Sequence, residues 1–413
     1  MAITLIQDPT SVSPSRLHTP AYNDQWFTAT SNQTSSANFQ FYVTTTIHYY
    51  NGTSWTTKVY NDAINNPPDG ILRFNVRSYT ESFIKHNIPL TTSGWSRCTN
   101  GCLKVVVNVG ERYGSTPTIY TGTNKTYYVW NAGLSFNEDV GFTPVNYICS
   151  NGSAFQILND QPDTRLNYYQ NGYIYMIANG DNVFKEAVVT TTDNVLTTLS
   201  FTVSNPYYNT GNWYDRYVAF NLNPYYLKLL GGANWVAVSN SIVYIEFKDN
   251  SGVTRKTVSY TLDALCSKYY KYSILYLNNK GAFDWMGFEL VSEENYAIER
   301  TKVRLNPYTD PSATGFMALT NSSGDTATYT SQYIKSLKLN TDWITETQSN
   351  QLKALVTSPV IYVQDLEVSS NQFVYPAVSS DNKYNRLRNF NGKLFNLVGT
   401  FEIAQQSYRQ KGA

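Results

Sequence analysis

Short runs of β-branched and aromatic residues that end in turn dipeptides are the feature that most constrains this chain. The run at 39–50 ends at Asn51-Gly52, and a second β-prone run follows Thr53-Ser54 and ends at Tyr60. Asn-Gly is the strongest short hairpin signal, because both of its residues tolerate a positive φ. The two runs therefore predict a β-hairpin.

The same pattern recurs along most of the chain. Turn signals such as Pro68-Asp69-Gly70, Asn151-Gly152 and Asn179-Gly180-Asp181 separate the β-prone runs. Short strands between such turns indicate β-sandwiches or barrels. The runs at 242–247 and 254–262 predict a second hairpin. Further strands are predicted at 103–110, 127–132, 166–177, 199–203, 272–277, 288–291, 360–363 and 394–403.

One segment has a helical pattern. Thr345 and Gln348 fit a capping box, and Leu352, Leu355 and Val356 recur on one helical face before Ser358-Pro359. These residues predict a helix over about 345–357, and a shorter helix is predicted at 80–85. The predicted fold is mainly β, with two or more antiparallel β-sandwich-like domains and a C-terminal β-domain that carries the 345–357 helix.

The length of 413 residues allows two to four domains. We predict an N-terminal β-sandwich region at 1–204, a second β-sandwich-like region at 205–300, and a C-terminal assembly domain at 301–413. The segment 205–213 is predicted to be a linker or an exposed loop, and about 307–330 a polar loop.

The composition favours contact surfaces over charged partners. Charged residues make up 15% of the chain and Tyr contributes 35 residues, which together suit protein interfaces. The net charge is +1 and no long Lys/Arg run is present, so no nucleic-acid partner is expected. No run of 18 apolar residues predicts a membrane span, and the first residues lack the pattern of a classical signal peptide.

The cysteines leave several chemistries open. Cys98 and Cys102 flank the turn residues Asn100-Gly101, so they could be free thiols, a small disulfide or half of a metal site. The histidines show no ligand spacing that would complete such a site. No metal or other cofactor is therefore expected.

No catalytic motif is present in the sequence. Phosphate-loop, metalloprotease and nucleophile-elbow patterns are all missing, so we expect no enzymatic activity. A polysaccharide-degrading enzyme would need a carboxylate pair. The candidates are Glu111, Glu138, Asp139, Asp284 and Glu289, which we interpret as turn or surface residues.

One aromatic loop is the candidate contact site for a sugar or a protein. It contains Tyr207, Tyr208, Trp213 and Tyr214. Aromatic side chains can stack on sugars, yet they also fill cores and interfaces. Packing is the favoured interpretation for most of the eight tryptophans, which are spread over the whole chain.

Several segments together resemble a family of tail structural proteins from double-stranded DNA phages that infect Bacteroidetes. The Pro-x-Tyr-Asn stretch in 14–27 precedes the first sandwich strand, and the Leu-Asn, Gly, Phe-Asp pattern lies in 276–284. The segments that carry the resemblance are 14–27, 38–43, 109–113, 128–132, 266, 276–284, 288, 342–348, 355–363 and 393–402.

The resemblance implies a virion component of the distal tail, baseplate or tail hub, made in the bacterial host cytoplasm. Such proteins form rings of three or six copies and contact other tail proteins. It implies no activity and no catalytic residue. We expect the segments 1–23 and 405–413 to pack on neighbouring subunits, with the assembly surface from about residue 300 onward. The main alternative is an adhesin that binds a host glycan or protein.

Overall fold

A computed structural model of the chain describes a large part of the sequence. The described residues are 3–11, 17–86, 88–89, 94–116, 118–122, 124–135, 144–160, 164–192, 198–235, 240–262, 272–288, 290, 293–304, 326–341, 344–366, 374–380, 397–404 and 409–411. Over these residues the protein is mainly β, with antiparallel and mixed sheets and few helices, which confirms the predicted fold class.

The regular elements follow one another in this order. The strands are β1 Ile3–Gln7, β2 His18–Pro20, β3 Trp26–Ser31, β4 Gln40–Tyr50, β5 Trp55–Asn65, β6 Ile71–Asn75, β7 Trp95–Arg97, β8 Cys102–Tyr113, β9 Thr118–Tyr120, β10 Asn124–Trp130, β11 Ile148–Cys149, β12 Arg165–Leu166, β13 Tyr173–Ala178, β14 Glu186–Thr192, β15 Thr198–Ser204, β16 Tyr217–Asn221, β17 Ile242–Lys248, β18 Thr254–Leu262, β19 Tyr272–Leu277, β20 Phe283–Phe288, β21 Glu293–Arg304, β22 Thr326–Asn340, β23 Ile361–Asp365, β24 Val374–Ser379, β25 Val398–Ile403 and β26 Arg409–Lys411. The α-helices are α1 Arg77–Glu81, α2 Pro224–Gly231, α3 Glu346–Gln351 and α4 Lys353–Thr357. Of the helices in the described residues, none has the length and hydropathy that crossing a membrane requires.

The chain divides into two compact units. Unit 1 consists of Met1–Cys266 and Tyr276–Trp285, and unit 2 consists of Ser267–Leu275 and Met286–Ala413. The division passes through β19 and β20, so the turn between these strands belongs to unit 1 and their outer ends belong to unit 2.

The first half of unit 1 is a β-sandwich. A sheet in the order β1-β3-β6 and a six-stranded sheet in the order β2-β10-β8-β4-β5, with β9 beside β8, share one apolar core. Strand β4 alternates buried and half-buried residues, as a strand with one covered face does. The predicted hairpin is confirmed by antiparallel pairing of β4 with β5, where Asn51 Oδ1 accepts hydrogen bonds from the N–H groups of Thr53 and Ser54.

The second half of unit 1 contains two further sheets. Their orders are β11-β13-β16-β7 and β12-β18-β17-β14-β15. Trp95 of β7 is fully buried and lies 5.1 Å from the ring of Phe220 on β16 and 5.7 Å from the ring of Phe247 on β17. Because these two phenylalanines belong to different sheets, the indole joins the sheets into one core. The predicted hairpin of β17 and β18 is confirmed.

Unit 2 is built around one sheet and carries the predicted helix. The sheet order is β20-β19-β23-β24-β25-β22-β21, with β26 beside β22. The capping box is confirmed, since Thr345 Oγ1 accepts from the Gln348 N–H and Gln348 Oε1 accepts from the Thr345 N–H. The helical segment continues through α4, and Leu352 and Leu355 are fully buried.

Some local predictions differ from the structure. The run at 166–177 is divided between β12 and β13, because Asn167 Oδ1 accepts the Tyr169 N–H and closes a turn. The helix predicted at 80–85 begins earlier, at Arg77, and Thr80 lies inside it. Helix α2 was not predicted, although Asn223 caps it and a proline occupies its first turn. Residues 307–325 of the predicted polar loop lie outside the described residues. Its last five residues, 326–330, belong to β22.

The domain boundaries also differ from those predicted. Strand β14 pairs with β15 on one side and with β17 on the other, so one sheet continues across the predicted boundary at 204/205. The segment 205–213 is therefore a loop within unit 1 and not a linker. Strand β21 runs through the predicted boundary at 300/301. The two predicted boundaries were based on local turn signals, and such signals do not reveal which distant strands pair.

We predict that Trp95→Ala lowers the free energy of unfolding by about 3–5 kcal/mol, because it removes a buried aromatic side chain and leaves a cavity. The indole Nε1–H also donates to the Val203 carbonyl at 3.1 Å. Denaturant unfolding measures the change. Trp26→Ala is the matched control, since Trp26 is 44% exposed and should cost less than about 1 kcal/mol. Equal losses in the two variants would contradict this account.

Candidate functional site: an aromatic cluster beside a polar cavity

The predicted aromatic loop is fixed by its own hydrogen bonds. It connects β15 to β16 and ends in a short 3-10 turn, Trp213–Arg216. The Asn205 side chain donates to the Phe184 carbonyl at 2.8 Å and accepts the Tyr207 N–H at 3.0 Å. The Gly211 N–H donates to Asp181 Oδ2 at 2.6 Å. The loop therefore presents its rings from a defined backbone, and all four predicted residues are half-buried.

Two of the predicted residues meet a tryptophan from a distant hairpin. The ring of Trp55, at the start of β5, stacks on Tyr214 with centroids 4.4 Å apart and planes inclined by 12°. Trp213 meets the same indole edge-on at 4.8 Å. Trp55, Trp213 and Tyr214 form what we call the aromatic cluster. In the sequence Trp55 appears only as a strand residue, so its part in the cluster could not be predicted.

Arg97 links the cluster to Tyr207. Its guanidinium lies 4.7 Å from the Tyr207 ring centroid and 4.8 Å from that of Tyr214, and it forms an ion pair with the buried Asp215. An arginine placed over two rings gains cation–π attraction. Tyr208 makes no ring contact among the described residues, and its N–H donates to the Asn205 carbonyl at 3.2 Å. The structure thus gathers Tyr207, Trp213 and Tyr214 but not Tyr208.

A second arginine extends the aromatic surface. Arg216 lies 4.4 Å from the centroid of Tyr128, whose ring is 6.0 Å from Trp213. His18 packs 5.2 Å from Tyr128. Burial and the charge of Arg216 lower the pKa of His18 to about 3. The imidazole is therefore neutral at physiological pH, and its role here is packing.

Arg97 also lines a polar cavity of about 160 Å³. The Tyr175 hydroxyl and Asn131 Oδ1 are buried in its lining and have no hydrogen-bond partner among the described residues. A space of this size can hold a few waters or a small polar molecule. The lining consists of Lys85, His86, Ile88, Pro89, Arg97, Cys98, Thr99, Asn100, Gly101, Asn131, Tyr175, Tyr217, Gly281 and Phe283.

The described cysteines are free thiols. Cys98 and Cys102 are not bonded to each other, so the disulfide alternative is not formed, and Cys149 is free as well. Burial raises the pKa of Cys102 and of Cys149 to about 12, and raises that of Cys98 well above its ordinary value. Thiols held in the protonated form are poor nucleophiles and poor metal ligands. Within the described residues, no group of three His, Cys, Asp or Glu side chains could hold a metal ion.

The described candidate carboxylates have structural partners. Glu111 of β8 accepts a hydrogen bond from the Ser31 hydroxyl at 2.6 Å. Asp284 of β20 is fully buried and accepts from the Asn278 side chain at 2.8 Å and from the Asn159 side chain at 3.0 Å. Both are buried, which corrects their interpretation as turn or surface residues. Glu138, Asp139 and Glu289 lie outside the described residues.

Asp284 has the most perturbed carboxyl group of this set. Burial raises its pKa from 3.8 to about 7, and the nearby Asp160 carboxylate acts in the same direction. The N–H groups of Asn278, Asn159 and Asp160 oppose this increase, because they stabilise the charged form. Lys280 forms an ion pair with Asp160 beside it. The carboxyl is enclosed by hydrogen bonds, so its chemistry here is structural.

We predict that replacing Asp284 changes how stability depends on pH. The raised pKa means that the folded chain keeps a proton between about pH 4 and pH 7 that the unfolded chain has released. This contribution is complete below the unfolded pKa and is lost as pH rises through the folded pKa, at about 1 kcal/mol per pH unit. The unfolding free energy of wild type minus that of Asp284→Asn should therefore fall over this range and level off above it.

Denaturant unfolding at several pH values measures this difference. The control is Asp69→Asn, because Asp69 is exposed and its pKa is lowered by its hydrogen bond and ion pair with Arg73. Its difference curve should be flat above about pH 5. A flat curve for Asp284→Asn as well would contradict the prediction.

Comparison with known proteins assigns the chain to no family. No protein-family model and no curated protein matches the chain. The chain is similar to dimeric latent PorU from Porphyromonas gingivalis at 7% identity and a TM-score of 0.19, covering 82% of this chain and 32% of that one. Squid arrestin is 8% identical with a TM-score of 0.15, and the match covers 59% of this chain and 88% of that one. Domains 4–9 of the surface layer protein SbsC are 11% identical with a TM-score of 0.16, and the match covers 98% of this chain and 43% of that one. TM-scores this low carry no argument about fold or function.

Proposed function

We propose that this protein is a structural component of a phage virion tail, in the tail hub, the distal tail or a baseplate ring. The observation that carries the proposal is the hairpin of β21 and β22 in unit 2. All 12 residues of β21 are exposed, on both faces of the strand. Tyr296 and Ile298 are 52% and 55% exposed. A long strand with exposed apolar side chains is a site for association with another chain.

The composition and the resemblance support the same role. The described parts of the terminal segments 1–23 and 405–413 do not pack on neighbouring subunits as expected, because β1, β2 and β26 pair with strands of their own chain. Few charged residues and many tyrosines lower the cost of desolvating an interface. The resemblance of 276–284, 342–348 and 355–363 to phage tail proteins supports a virion location, a ring of three or six copies, and contacts with other tail proteins. The described candidate carboxylates serve packing, which favours a role without catalysis. Synthesis in the bacterial host cytoplasm follows from this role.

The proposal is tested on phage particles. A phage that lacks the gene is complemented with wild-type protein, Ile298→Lys or Leu229→Lys, and the particles are purified by density gradient. We expect several copies of the wild-type protein per particle by quantitative mass spectrometry. Ile298→Lys should lower the yield of infectious particles at least tenfold, because it places a charge on the assembly surface.

Leu229→Lys is the matched control, because Leu229 is 62% exposed but lies on α2 of unit 1. It should leave the yield unchanged. Absence of the wild-type protein from purified particles would refute the proposed tail role. Equal yields for the two variants would remove β21 from the assembly surface.

A second candidate function is adhesion to a host glycan. The aromatic cluster favours it, because half-exposed rings beside a polar cavity resemble the stacking surface that sugars use. It ranks second because these rings already stack on one another and on Arg97. Degradation of a polysaccharide ranks third, since Asp284 is enclosed and Glu111 is bonded to Ser31.

The adhesin function predicts measurable glycan binding. On a glycan array the wild-type chain should bind at least one sugar, and Trp213→Ala should weaken that binding at least tenfold by removing a stacking ring. Trp26→Ala serves as the control, because Trp26 is exposed and belongs to β3. An array without binding, or equal binding by both variants, would rule out this function for the cluster.

A further inference from the structure

Strand β21 is at an edge of its sheet. It pairs with β22 from Glu293 to Arg304, and among the strands of the described residues it has no other neighbour. In an antiparallel pair, alternate residues direct their N–H and C=O groups away from the partner strand. The outer side of β21 therefore presents a row of backbone donors and acceptors that another strand can use.

The outer edge of β21 is regular. The one irregularity in the hairpin lies between the pairs Thr301–Thr330 and Lys302–Thr328, where Tyr329 of β22 is the extra residue. A bulge on β21 itself would twist its edge away from a partner. Since the bulge is on β22, β21 can accept an extended strand along its whole length.

The charges of β21 are divided between its two halves. The first half begins with Glu293 and Glu294. The second half contains Arg300, Lys302 and Arg304 together with Glu299, whose carboxylate accepts a hydrogen bond from the Gln332 side chain at 2.7 Å. Within the hairpin the three basic residues face Ser331, Thr328 and Thr326, which are neutral. An acidic half and a basic half on one strand are complementary to the same strand running in the opposite direction.

The acidic half is partly engaged within its own chain. Lys335 lies 3.0 Å from Glu294, which also accepts hydrogen bonds from Tyr272 and Tyr296, and Lys338 lies 3.4 Å from Glu293. These are partly exposed contacts, and a carboxylate can accept several donors at once. Glu294 therefore remains able to face a cation on its open side.

We propose that β21 pairs antiparallel with β21 of a second copy of this chain, with Ile298 opposite its own counterpart. This register places Tyr296 opposite Arg300 and Glu294 opposite Lys302, each twice because the contact is two-fold. Side chains two residues apart share one face of a strand, so the apolar pair, the two cation–π pairs and the two ion pairs lie on the same face. The inference rests on the proposed assembly role and names its partner.

The contact has the properties of an isologous interface. The same surface serves both copies, so it closes as a dimer and does not grow into a fibre. One strand pair is a small interface, and its stability depends on protein concentration. In a particle it would join two rings face to face or two neighbours within a ring of even number.

The test is a charge-exchange experiment followed by sedimentation equilibrium. Wild-type protein should show a monomer–dimer equilibrium. Lys302→Glu places a carboxylate opposite Glu294, and Glu294→Lys places an ammonium opposite Lys302, so each variant should raise the dimer Kd at least tenfold. The double variant Glu294→Lys/Lys302→Glu restores opposite charges and should recover the wild-type Kd within about threefold. An equimolar mixture of the two single variants should form heterodimers.

Two controls separate the contact from folding and from general charge effects. Glu294→Lys also loses contacts within the chain, so circular dichroism and Tm are measured for every variant. The double variant lacks the same contacts within the chain, so a recovery of its dimer Kd measures the charge pairing between the two copies alone. Lys58→Glu changes an exposed charge on β5, an edge strand of unit 1, and should leave the dimer Kd unchanged.

The register is tested by oxidation of single cysteine variants. Ile298→Cys should give a disulfide-linked dimer, and Val303→Cys should not, because in this register Val303 faces Glu293. The wild-type protein reports any cross-linking by the native cysteines.

A wild-type chain that stays monomeric at several hundred micromolar, or a double variant no better than the single ones, would overturn the pairing. Presence in particles with no such dimer would overturn the pairing and leave the tail role. A dimer in solution together with absence of the protein from particles would overturn the tail role and leave the pairing.

Discussion

The buried carboxyl of Asp284 is the interaction on which the centre of unit 1 depends. It binds Asn278 at the end of β19 and Asn159 in the segment that precedes β12. Asn159 in turn accepts the Tyr175 N–H at 2.8 Å, and the Asn278 side chain donates to the Leu158 carbonyl at 3.0 Å. One acidic group therefore fixes segments more than 100 residues apart. A buried carboxyl is stable only with such partners, so the loops and the carboxyl depend on each other.

The hydrogen bonds of Asn278 also position the turn that lines one side of the polar cavity. Asn278 Oδ1 accepts the N–H groups of Lys280 and Ala282, both at 3.0 Å, and the turn ends at Gly281 with φ +87°. A Cβ at Gly281 would lie 2.0 Å from the Asn131 carbonyl oxygen, so no larger residue fits. The residues Asn-Asn-Lys-Gly at 278–281 are typical of a turn. This local pattern carries no information about what the turn packs against.

Local signals were sufficient for the hairpins and for the capped helix. The turn at Asn51-Gly52 and the box of Thr345 and Gln348 each depend on residues within four positions, which a sequence displays directly. Sheet order and the domain division depend on pairings such as β14 with β17, and these were not predictable. The site follows the same rule, because Tyr207, Trp213 and Tyr214 stand out as a local aromatic run. Arg97 and Trp55 join them only through the fold.

Strand β21 carries large apolar side chains that are not buried in either of its faces. Tyr296 and Ile298 lie on one face of the strand and Val303 lies on the other, and both faces are exposed. In a monomer these side chains leave apolar surface in contact with water, and no packing offsets the cost of that exposure. The proposed pairing would bring Tyr296 and Ile298 into contact with a second copy of the chain. The division of charge along the same 12 residues favours the antiparallel direction in the proposed pairing, because like charges would meet if the two strands ran parallel in register.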